Sequence, residues 1–114
     1  MRVLLCDDHE LFLVALSTTL ARRGHEVVAA LTEGGPVPEL VETAYVDCLV
    51  LDLDLAGQSG LDVAEAVRER CPEVAVLLLS GTDEPAAWDA FDRRVVDGLV
   101  SKMCAIDVLE QSME

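Results

Sequence analysis

The chain has 114 residues, 52% of them hydrophobic, with a mean hydropathy of +0.35, so it reads as one folded domain and disorder is excluded. Twenty-two acidic residues against eight basic ones leave a formal charge of −14, which repels phosphate backbones and anionic lipid and excludes direct binding to nucleic acid or membrane surfaces. The longest apolar runs, such as Val74–Leu79, are far too short to cross a bilayer. Met1-Arg2-Val3-Leu4-Leu5-Cys6 has the outline of a lipoprotein signal, but Asp7-Asp8 follow at once, and the expected location is the cytoplasm. Cys6, Cys48, Cys71 and Cys104 are dispersed, with no CxxC pair. They read as small buried hydrophobes in a reducing compartment rather than a zinc site or disulfide frame.

In chain order, apolar runs alternate with segments of helical spacing. The run Val3–Cys6 predicts a first strand, and Glu10 to Arg23 a helix with Leu13, Leu16 and Leu20 on one face and Leu11, Val14 and Ala15 beside them. Val27–Leu31 predicts a second strand, and a short helix after Pro38 carries Leu40, Val41 and Ala44. Cys48–Leu51 is the third strand. Ser59 then caps a helix, with Asp62 three positions on and Leu61, Ala64, Val67 and Cys71 repeating along one face. Val74–Leu79 is the fourth strand, followed by a helix from about Pro85 with Ala87, Ala90 and Phe91. Leu99–Val100 is the fifth, and a last helix begins near Ala105 with Ile106, Leu109 and Met113. Arg22-Arg23, Arg68 with Arg70, and Arg93-Arg94 fall in last helical turns, where the helix dipole favours cations.

Strands without polar alternation are covered on both faces, as in a parallel sheet. Five strands alternating with five helices predict an α/β, doubly wound, five-stranded parallel sheet of order 2-1-3-4-5, with helices on both faces. In such a sheet ligands bind at the carboxyl ends of the strands, where the order reverses. Asp7-Asp8 end strand 1, Asp52 ends strand 3, Ser80 ends strand 4, and Lys102, the single lysine, ends strand 5. Clustered carboxylates repel one another unless a hard cation sits among them, and Mg²⁺ is the natural choice. Mg²⁺, a carboxylate nucleophile, a lysine and a hydroxyl together are the apparatus of phosphoryl transfer to Asp. His9 reads as a first-turn histidine rather than a ligand, and His25 as a surface residue. The side chain of Asp54 either steers water near the site or points to solvent.

Leu4-Leu5-Cys6-Asp7-Asp8-His9, Leu51-Asp52-Leu53-Asp54-Leu55, Ser59-Gly60-Leu61, Leu79-Ser80-Gly81 and Gly98-Leu99-Val100-Ser101-Lys102 together resemble the receiver domains of two-component response regulators. The Asp-Asp-His start and Gly-x-x-x-Lys ending look most like the NarL/FixJ class, whose receivers precede a DNA-binding domain. The resemblance spans essentially the whole chain and implies a single receiver domain, 1–114, ending within or just after its last helix. DNA would be reached only through a C-terminal domain absent from this chain. The resemblance further implies that Asp52 is the phosphoacceptor, loaded by a sensor histidine kinase. Asp7, Asp8, Asp52 and the backbone carbonyl of Asp54 would hold Mg²⁺, while Lys102 and Ser80 would contact the phosphoryl group. Such a domain is no enzyme beyond assisting its own phosphorylation and dephosphorylation; its readout is a change of conformation or assembly, a homodimer included, that controls transcription.

Three positions depart from that family: Ala56 and Met103 stand where Pro is usual, and Leu99, at the switch position, replaces an aromatic ring. Two rival readings follow. One is a receiver-like module that binds partners without phosphorylation. The other is a haloacid-dehalogenase-like phosphatase, matched by Asp52-Leu53-Asp54 but disfavoured by the short chain and by an acid pair that comes first.

Overall fold

The computed structural model describes residues 1–55, 57–80 and 85–102. β1 (Arg2–Cys6), α1 (Glu10–Arg22), β2 (Glu26–Leu31), α2 (Val37–Thr43) and β3 (Cys48–Asp52) come first. They are followed by β4 (Asp54–Leu55), β5 (Gln58–Ser59), α3 (Gly60–Arg70), β6 (Ala75–Ser80), α4 (Pro85–Asp92) and β7 (Gly98–Ser101). The five longer strands form one parallel sheet in the order β2-β1-β3-β6-β7, the expected 2-1-3-4-5 once the small β4–β5 ribbon is set aside.

Alternation along each strand sends its side chains to two separate cores. Leu4, Cys6, Leu49, Leu51, Val76 and Leu78 pack with Val37 and Val41 of α2, Val63, Ala64 and Val67 of α3, and Ala87 and Ala90 of α4. Val3, Leu5, Cys48, Val50, Leu77, Leu79 and Val100 pack with Leu13, Leu16 and Leu20 of α1. Because β1, β3 and β6 are covered on both faces, their sequences show no polar interruption. Cys6 and Cys48 are buried free thiols, and burial is the main reason both are pushed up to about 12; Cys71 is free and half-buried.

Several local expectations are corrected. Leu11 and Val14 of α1 stand 89% and 63% exposed rather than flanking the core. The fully buried residues of α3 are Gly60, Val63, Ala64 and Val67, while Leu61 and the C-cap Cys71 are partly buried against the same core, as expected. Ser59 does cap that helix, its Oγ accepting from the Leu61 amide at 3.2 Å. Arg93 and Arg94 lie beyond α4 rather than in its last turn. Arg68 bonds to loops instead of serving only the helix dipole: Nε donates to the Val95 carbonyl, Nη1 to those of Pro72 and Val74, and Nη2 to Asp97 at 2.7 Å. Ala56, Gly81, Met103, Cys104 and the last helix expected near Ala105, with Ile106, Leu109 and Met113, lie outside the described residues. Among the described residues no helix is long and apolar enough to cross a membrane.

Candidate functional site

The register between β1 and β3 pairs Cys6 with Leu51, so the next residue of each strand is a carboxylate at the reversal point of the sheet. Asp7 and Asp52, 1% and 3% exposed, are the buried charged residues among those described. The chain holds each in place. Asp7 Oδ1 accepts the His9 amide at 2.8 Å, while the Asp7 amide donates to the Leu31 carbonyl at 3.0 Å. Asp52 Oδ1 accepts the Asp54 amide at 3.2 Å. Asp8 lies closer to solvent, its side chain 27% exposed.

Lys102 follows β7, and its long stem reaches back over the strand ends. Nζ stands 3.0 Å from Asp52 Oδ2, 2.9 Å from Asp7 Oδ2 and 5.3 Å from the centre of the Phe12 ring. One ammonium thus faces two buried carboxylates, and the balance of charge is incomplete. Asp7 Oδ2 has only Lys102 Nζ, which Asp52 shares, and the buried Asp8 Oδ1 accepts no hydrogen bond, with His9 Nδ1 at 3.3 Å its ionic neighbour. Desolvation pushes Asp52 up to about 6, with the Asp7 charge adding to it and the Lys102 and Asp54 hydrogen bonds opposing it. Burial alone would lower the Lys102 ammonium, but its contacts with Asp7 and Asp52 outweigh that and raise it. Ligand atoms of Asp7, Asp8, His9 and Asp52 all lie within 4.8 Å of one another. This acidic pocket suits a hard divalent cation, whose charge would offset the carboxylates that one lysine leaves in excess.

The structure brings together Asp7, Asp8, Asp52 and Lys102 as expected. Ser80 ends β6 on the same edge, half-buried and opposite Ser101 in the β6–β7 register. Asp54 lies on β4 opposite Ser59 with its side chain exposed. Leu99, paired with Leu78, is half-buried and packs against the α2–α3–α4 core.

Two features escape a reading of residue types. Gly60 donates to the Leu53 carbonyl at 2.7 Å and packs so closely that a Cβ would collide with the Asp52 carbonyl oxygen. A glycine in a Ser-Gly-Leu string is the one sequence sign of that approach. His9 is the N-cap of α1 and makes no side-chain cap bond; its Nδ1 instead lies 3.2 Å from Asp7 Oδ1, 3.3 Å from Asp8 Oδ1 and 3.1 Å from Lys102 Nζ. Its adjacency to Asp8 in sequence is the available signal.

A doubly wound sheet with buried acids at its reversal point, and a lysine and a hydroxyl on the same edge, defines a receiver-like class of protein. The sequence profile of the response regulator receiver domain matches residues 3–114, and the chain belongs to that family, a family of signalling domains. It is 32% identical over 84 residues to the DNA-binding transcriptional activator EvgA of Escherichia coli K12, covering 74% of this chain and 41% of EvgA. It is 37% identical over 87 residues to the transcriptional regulatory protein NarL of Mycobacterium tuberculosis H37Rv, covering 75% of this chain and 40% of NarL. The chain therefore spans about two-fifths of the length of these curated relatives. Among solved structures, the signal receiver domain of NarL from M. tuberculosis superposes with a TM-score of 0.82 at 29% identity, covering 97% of this chain and 94% of that one. A receiver domain protein from Methanospirillum hungatei JF-1 shares the fold, with a TM-score of 0.89 at 18% identity, covering 98% of this chain and 89% of that one. These relatives agree with the resemblance to the NarL/FixJ class, and the phosphatase reading falls with them.

Proposed function

We propose that this receiver domain takes a phosphoryl group from the phosphohistidine of a sensor kinase onto Asp52. The observation that carries the reading is the buried Asp52 carboxylate, held 3.0 Å from Lys102 at the reversal point and next to an under-neutralised Asp7. An Asp52 oxygen forms the new bond to phosphorus as the bond from phosphorus to the kinase imidazole breaks, and the imidazole leaves with the electron pair. Mg²⁺ would be held by Asp7, Asp8, Asp52 and the Asp54 backbone carbonyl, and when bound it supplies positive charge against the phosphoryl oxygens. Lys102, already poised on Asp52, moves with the transferred group and holds one of its oxygens, while the Ser80 hydroxyl donates to another. The chain positions these groups; the high-energy donor supplies the driving force.

The whole of 1–114 acts as one receiver domain in the cytoplasm. Output to DNA passes through a further domain of a longer regulator, a reading supported by EvgA, a DNA-binding transcriptional activator of which this chain covers 41%; phosphorylation favours a homodimer. Incubation with Mg²⁺ and acetyl phosphate, followed by intact-mass measurement, should show a gain of one phosphoryl group that Asp52→Asn abolishes while remaining folded. Undiminished labelling of the variant would reassign the acceptor. No labelling of the wild type would favour a module that binds partners without phosphorylation.

A further inference from the structure

We propose that His9 is an additional protein ligand of the cation site, so that the site takes imidazole-preferring divalent ions such as Ni²⁺ as well as Mg²⁺; this rests on reading Asp7, Asp8 and Asp52 as cation ligands. Two donors each about 2.1 Å from one ion stand roughly 3.0 Å apart at right angles and roughly 3.4 Å apart at tetrahedral angles. His9 Nδ1 lies 3.2 Å from Asp7 Oδ1 and 3.3 Å from Asp8 Oδ1, the spacing of neighbouring ligands on a single ion. The backbone sets this placement: the His9 amide donates to Asp7 Oδ1 at 2.8 Å, which ties the start of α1 to the acid and leaves the ring over the pair.

An independent observation points to a ligand at the same spot. Asp7 is 1% exposed, yet the one close partner of its Oδ2 is the Lys102 ammonium at 2.9 Å, which Asp52 shares, and the buried Asp8 Oδ1 accepts no hydrogen bond. The His9 side chain is 69% exposed, so an ion arriving from solvent meets the imidazole first. Lys102 Nζ lies 3.1 Å from Nδ1 and shares Asp7 Oδ2 and Asp52 Oδ2, so the ammonium and a divalent ion compete for one set of donors. Oxygen donors alone favour Mg²⁺, Ca²⁺ or Mn²⁺; an imidazole nitrogen favours Ni²⁺ or Zn²⁺.

The test is calorimetric titration with MgCl₂ and NiCl₂ of the wild type, His9→Ala and His25→Ala, the last controlling for the other histidine. The expected result is a loss of tenfold or more in Ni²⁺ affinity for His9→Ala, with Mg²⁺ affinity within twofold and His25→Ala unchanged for both. X-ray absorption at the nickel edge should show imidazole scattering in the wild type that vanishes in His9→Ala. The backbone bond to Asp7 survives the substitution, so the variant keeps its fold. Unchanged Ni²⁺ affinity, or equal losses for both ions, would overturn the assignment and leave His9 as an anchor for Lys102. Mg²⁺ binding with His9-independent Ni²⁺ binding breaks this inference alone. Failure of the wild type to bind Mg²⁺, with Ni²⁺ binding still dependent on His9, breaks the phosphoacceptor reading and leaves the His9 ligand standing.

Discussion

The two edges of the sheet treat charge in opposite ways. At the amino ends of the strands, charged groups are matched by neighbours. Arg68 bonds the carbonyls of Pro72, Val74 and Val95 and the Asp97 carboxylate, and Asp97 Oδ2 also accepts the Val76 amide at 2.8 Å. Arg2 does the same for the next loops, bonding the carbonyls of Ala44 and Tyr45 and pairing with Glu26, while its amide donates to Asp47. At the carboxyl ends, three acids crowd together, two of them share one lysine, and the buried Asp8 Oδ1 accepts no hydrogen bond. One edge closes the fold. The other holds a crowded arrangement that Lys102 relieves in part and a bound cation would relieve further, which is the usual trade between a working site and stability.

Substitutions at the two edges should therefore act with opposite sign. The largest effect is expected at the closed edge. Arg68→Ala removes four hydrogen bonds from one side chain and leaves three carbonyls and Asp97 short of a donor. It should cost about 3 kcal/mol in urea unfolding, with Arg68→Lys recovering only part, because an ammonium lacks the planar fork. A loss below about 0.5 kcal/mol would mean that water replaces the clamp.

At the open edge, Asp52→Asn should instead stabilise the metal-free protein, by about 2 kcal/mol at pH 8. Asp52 is raised to about 6, above its ordinary 3.8, so the folded state holds the proton more tightly than the unfolded one. Wild-type stability then gains as pH falls through 6 toward 4, and the advantage of the variant, full above pH 7, should close over that window. Saturating Mg²⁺ should also narrow it. Denaturant unfolding of both proteins at several pH values is the measurement, and a gap that widens on acidification would refute the charge-crowding account.

Asp8→Ala should have a smaller effect of the same sign, about 1 kcal/mol of stabilisation without metal, since Asp8 is partly solvated. It should also weaken Mg²⁺ binding by tenfold or more in the titration described for His9. The smallest change is expected at Leu99→Tyr. A half-buried Leu on β7 differs little in packing energy between inward and outward positions, so beryllofluoride with Mg²⁺ should shift the amides of residues 85–102 only weakly in the wild type and more in the variant. A large concerted shift in the wild type would show that the switch works without its ring.

The buried strands were legible because a strand covered on both faces is selected residue by residue, independently of where its partners lie. The acids Asp7, Asp8 and Asp52 were legible for a related reason: each ends an apolar run, and the doubly wound topology sends all such ends to one edge. Arg68 shows where that reasoning stops. In sequence it is a cation in the last turn of a helix, and nothing nearby announces the Val95 carbonyl 27 residues on. The β4–β5 ribbon has only two residues per strand, too few for any periodicity to register.

Composition and pattern alone thus determined the fold class, the strand order and the edge that bears the chemistry, since these depend on local burial and on general rules of chain connection. The tertiary structure alone decided how the site is wired. The contacts of Lys102 with Asp52 and His9 span 50 and 93 residues, and Gly60 is required by the backbone of another element. Such contacts depend on register and distance to a fraction of an ångström, and a one-dimensional pattern carries neither.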